Sequence, residues 1–139
     1  GVAVTRPNGL DVPAGVVALV AAQHFCVTVR PEARPGQCGE LLLTEGAVAW
    51  VASAECGYRD SVGGWSKSAT LRDAVLGAIE ARAVRYEIAA RSADEEGRRA
   101  RLPLRKQHAA ETATKHRAEA ARLRDLVLAI AAAWPEVSP

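Results

Sequence analysis

The chain has 139 residues, 49% of them apolar, 24% charged and only six aromatic, which fits one compact domain or one small domain with an appendage. That apolar share excludes a disordered chain, and no stretch approaches the ~20 apolar residues of a spanning helix, so a membrane is not among the expected partners. Formal net charge is +2 but unevenly spread, with net −1 over residues 1–68 and net +3 over 69–139.

Pro7-Asn8-Gly9 is a cluster of turn formers and marks an irregular start. Asp11 can cap a helix carrying Val16, Val17, Leu19 and Val20, with Pro13 in its first turn and an end near Gln23. The apolar run from Val12 to Ala22 has the length of the apolar region of a secretion signal. Asp11 and Pro13 at its start, and the lack of a cleavage site after Ala22, favour a buried helix instead.

From Phe25 the period changes to two, because Phe25, Val27 and Val29 alternate with Cys26, Thr28 and Arg30. After a loop from Pro31 to Gly39, residues 41–44 and 47–54 read as a β-hairpin turning at Glu45-Gly46. Gly57, Gly63 and Gly64 make the segment from Cys56 to Gly64 read as a loop. The expectation is a three-stranded antiparallel meander with Phe25 and Trp50 in its core.

Beyond Ser66 the period is helical almost to the end. Ser68 or Thr70 can cap a helix over about 69–101, and Asp73 in its first turn favours the macrodipole. Pro103 interrupts the pattern. A second helix over about 104–134 stops at Pro135. A 3-4 spacing selects Leu76, Ile79, Ala83, Tyr86, Ala90, Ala93 and Gly97 in the first helix. In the second it selects Ala109, Ala113, His116, Ala120, Leu123, Val127 and Ile130.

These two sets are mirror images about residue 103. Gly97 then faces Ala109, Tyr86 faces Ala120 and Ala83 faces Leu123, a large-against-small alternation that lets helices interdigitate. Further out, Arg72 meets Trp134, a pairing that permits a cation–π contact. The seam is the pattern of an antiparallel, coiled-coil-like helical hairpin turning at Leu102-Pro103. A dimer with swapped or parallel helices reuses the same stripes. The expected class is therefore α+β, with a small helix-and-meander subdomain over 1–67 and a helical hairpin arm over 68–139. Leu71 and Val75 are expected to help cover the sheet.

Several constellations of reactive residues do not assemble a site. His24, Cys26, Cys38 and Cys56 are of zinc-ligand type, but only His24 and Cys26 are closely spaced, whereas zinc sites present ligands in tight pairs. No metal site is expected. An odd number of scattered cysteines makes no disulfide framework, so a reducing, cytoplasmic setting is expected. Neither Cys56 nor Ser61 or Ser66 with Asp60 lies in a nucleophile elbow. Asp94, Glu95 and Glu96 are consecutive on a helix and diverge around it. His108 and His116 fall at the turn and in the seam. No phosphate or dinucleotide fingerprint occurs, so no catalytic residue and no cofactor is expected.

The hairpin turn is different, because Arg98, Arg99, Arg101, Arg105 and Lys106 converge there with no acidic residue from 97 to 110. Such a cluster attracts phosphates, which makes a non-enzymatic, nucleic-acid-binding or regulatory protein the leading expectation, through those five residues. The alternative is a protein-interaction or assembly module whose Ala-rich arm docks on a second copy, as a homodimer, or on the helices of another protein.

Overall fold

The computed structural model describes residues 4–5, 12–22, 26–30, 40–45, 48–53, 57–60, 65–66 and 71–136, with side chains for 12–20, 22 and 72–136. Two short strands, β1 (Val4–Thr5) and β2 (Val12–Pro13), pair antiparallel, and α1 (Ala14–Ala22) follows directly. Five further strands, β3 (Cys26–Arg30), β4 (Glu40–Glu45), β5 (Val48–Ser53), β6 (Gly57–Asp60) and β7 (Trp65–Ser66), pair antiparallel in chain order. The long helices are α2 (Leu71–Arg99) and α3 (Pro103–Ala133).

The α+β expectation is corrected by this inventory. The described residues are mostly helical, and the antiparallel sheet among them has five strands in place of the expected three. Part of the difference has a local cause. Gly57, Gly63 and Gly64 bracket β6 and mask a strand of only four residues, whose ladder places Val51 opposite Arg59 and Ala52 opposite Tyr58. Pairing with a neighbour decides such a segment, because isolated propensity at a glycine is unfavourable. Phe25 and the loop from Pro31 to Gly39 lie outside the described residues, as do the side chains of Trp50 and Leu71.

The ends of the long helices have simple origins. α2 is rich in Ala, Arg, Glu and Leu, all strong helix formers, and begins with Asp73 in its first turn. Its last bond runs from the Ala100 amide to the Glu96 carbonyl at 2.9 Å. Leu102 then precedes a proline, which disfavours helical dihedrals, and Pro103 occupies the first helical position of α3, where its missing N–H is harmless. At the far end Pro135 blocks continuation. There Arg72 Nε donates to the Trp134 carbonyl, so the two residues meet through a cap on the helix C-terminus.

The chain divides into two compact units, one comprising Gly1–Ile79 with Leu126–Pro139 and the other Glu80–Asp125. The first buries branched side chains: Val12, Val16, Val20, Val75, Ile79, Leu126 and Ile130. In the second, the buried residues are Ala83, Ala90, Ala93, Ala109, Ala113, Ala120 and Leu123. Its α2 and α3 segments run antiparallel, since Gly97 lies against Ala109, Asp94 pairs with Arg117 and Glu87 with Arg124. All of these buried positions belong to the seam read from the 3-4 spacing. The Tyr86 ring lies 5.8 Å from that of His116, a seam residue one turn from Ala120.

A Cβ at Gly97 would sit 3.2 Å from the Ala109 Cβ, tighter than ordinary contact, so glycine here permits the close approach. Gly97→Leu is expected to lower stability by about 1–3 kcal/mol. In combination with Ala109→Gly the loss should be smaller than the two single losses added, because the added side chain gains room. Leu123→Ala, which empties the largest buried side chain of the unit, should cost about 2–5 kcal/mol. Denaturant unfolding monitored by circular dichroism reads all of these.

Candidate functional site

Within Glu80–Asp125 the charged side chains form an ordered ladder beside the alanine seam. Arg124 grips Glu87 with two bonds, Nη2 to Oε1 at 2.6 Å and Nε to Oε2 at 3.2 Å, and its Nη1 lies 3.7 Å from Glu80. Arg117 donates to both carboxylate oxygens of Asp94. These contacts cross from one helix to the other and so oppose any slip of register. The hydrogen bonds from Arg124 and Arg117 hold the Glu87 and Asp94 carboxyls below their ordinary values.

At the turn, the five cations converge as the sequence implies but are not equivalent. Arg98 and Arg99 both bind Glu95 of their own helix, Arg98 through Nε at 3.1 Å and Arg99 through Nε at 3.0 Å. The Arg98 hydrogen bond holds the Glu95 carboxyl below its ordinary value. Lys106 Nζ donates to the Gly97 carbonyl at 3.1 Å, satisfying an acceptor at the end of α2. Among the described residues, no ion pair reaches Arg101 or Arg105. Both are exposed.

Between these two arginines stand Leu102 and Leu104, with 58% and 78% of their surface in water. An open concavity of roughly 710 Å³ is lined by Arg99, Arg101, Leu102, Leu104, Arg105 and His108, with Glu96 as the acidic residue on its wall. The sequence pattern marks the charges but not the leucines, which it assigns to the turn. The signal was their spacing, since Leu102 and Leu104 flank a proline and belong to neither seam set.

A smaller concavity of about 510 Å³ is bordered by Arg91, Arg117 and Arg124, but Asp94 and Glu87 already engage the last two. Of the other sequence candidates, His108 is exposed at the turn and His116 packs on Tyr86 inside the seam. Asp94 and Glu95 serve as ion-pair partners. His24, Cys38 and Cys56, the side chain of Cys26, and the Asp60, Ser61 and Ser66 side chains lie outside what is described. No group of three or more His, Cys, Asp or Glu residues able to hold a metal occurs among the described residues. Among them, too, no helix is long and apolar enough to cross a membrane.

No family model matches the chain, and no curated protein or solved structure is significantly similar to it. Function therefore rests on the residues themselves.

The ladder has a pH signature. Because the folded carboxyls of Glu87, Asp94 and Glu95 lie below their ordinary values, their stabilisation is present above the ordinary carboxylate range and is lost as pH falls through the lowered values. Thermal melts followed by circular dichroism should show a falling midpoint on acidification. Glu87→Gln with Asp94→Asn should flatten that slope, and added salt should also reduce it, since the pairs are solvent-exposed.

Proposed function

We propose that the chain is a non-enzymatic protein-interaction module whose contact point is the turn between α2 and α3. The observation that carries this reading is the pair of exposed leucines, Leu102 and Leu104, set between two arginines that no ion pair occupies. Apolar side chains flanked by free cations suit a protein surface, where burial supplies affinity and charge supplies orientation. The alanine stripe, by contrast, is already buried between α2 and α3 of the same chain. That moves the contact from the flank of the helices to the turn.

A second reading, nucleic-acid contact, is favoured by the same unengaged Arg101 and Arg105, which are free to meet phosphates. It is weakened by Glu95, which engages two of the five cations, and by the leucines, which a phosphodiester backbone cannot match. No aromatic residue is interleaved for base stacking.

Fluorescence anisotropy with labelled duplex DNA and duplex RNA at low and physiological salt separates the two readings. The expected result is no saturable binding by the wild-type chain at physiological salt. Saturable binding that falls log-linearly with salt, vanishes in Arg101→Glu/Arg105→Glu and persists in Leu102→Ser/Leu104→Ser would establish the nucleic-acid reading instead.

A further inference from the structure

The concavity at the turn joins three properties that narrow its occupant. Its mouth is apolar, because Leu102 and Leu104 are the most exposed leucines of the unit Glu80–Asp125. Its rim is cationic, because Arg101 and Arg105 stand unengaged on either side and Arg99 spends one bond on Glu95. Finally, it opens at the first turn of α3, which contains no acidic residue, so the positive end of the helix dipole is not offset locally. At roughly 710 Å³ the space takes side chains rather than a single ion.

Resting on the protein-interaction reading above, we propose that this concavity binds a peptide segment presenting a carboxylate beside a branched apolar side chain. The carboxylate meets Arg101 or Arg105, where bidentate guanidinium geometry gives orientation. The apolar side chain covers Leu102 and Leu104, removing from water the surface that they expose. A second copy of the same turn is a poor occupant, since it would bring Arg101 and Arg105 of both chains together. A phosphate backbone would satisfy the arginines and leave the leucines in water.

The test is selection of a displayed random-peptide library on the full-length chain, with elution by soluble wild-type chain. Selected peptides are then measured against Leu104→Ser and Arg101→Glu/Arg105→Glu. These side chains are exposed, so both variants should keep the wild-type circular dichroism spectrum. The expected outcome is convergence on sequences with Asp or Glu adjacent to Leu, Ile or Val, whose affinity falls at least about tenfold in each variant. Convergent peptides that lose affinity in the variants but carry basic or uncharged residues would overturn the carboxylate and leave the interaction reading standing. Absence of any convergent peptide sensitive to the turn variants would overturn both.

Discussion

Everything in the unit Glu80–Asp125 depends on how closely α2 and α3 approach. A methyl group at Gly97 would press on Ala109 more tightly than an ordinary contact, and the other fully buried residues of the seam in this unit are alanines and a single leucine, Leu123. Small side chains permit this approach but bury little apolar surface, worth ~25 cal/mol per Å². Register therefore cannot come from apolar shape alone, since one alanine resembles the next. The ladder of Arg124 with Glu87 and Glu80, and of Arg117 with Asp94, supplies what the alanines lack. Each exposed pair contributes modestly to stability, yet together they penalise every shifted alignment.

The character of the turn follows from the same economy. Glu95 engages Arg98 and Arg99, and Lys106 closes on the Gly97 carbonyl, so three of the five cations serve the hairpin itself. Leu102 and Leu104 lie beyond the last facing positions of the seam, and the helices offer them no cover. What remains free at the turn is thus a mixture of two arginines and two leucines. That mixture, more than the count of positive charges, supports a protein as the partner.

The long helices were legible because their evidence is periodic and redundant. Mirror symmetry about Pro103 places Gly97 opposite Ala109 and Arg72 near Trp134, and both pairs meet. The chemistry of those meetings was less legible. Arg72 donates to a carbonyl that no sequence pattern displays, and the ring of Tyr86 lies against that of His116, a contact that the facing pairs of the seam do not name. The strands were misjudged where pairing outweighs local preference, at Gly57–Asp60 and Trp65–Ser66. At the turn, counting arginines overstated the free charge, since Glu95 lies just outside the run and one carboxylate can serve two guanidinium groups.

The most direct test of the intrachain hairpin is a disulfide across its tightest point. Gly97→Cys and Ala109→Cys place Cβ atoms at a separation near that of a natural bridge, about 3.5–4.5 Å, after a small adjustment. The double variant should be oxidised, digested and mapped by mass spectrometry, with its mass in solution measured before and after. A bridge between positions 97 and 109 within one chain, formed without loss of helicity, is the expected result. A bridge that forms mainly between two chains, or none at all while the helices persist, would contradict the register from which the turn and its contact surface are built.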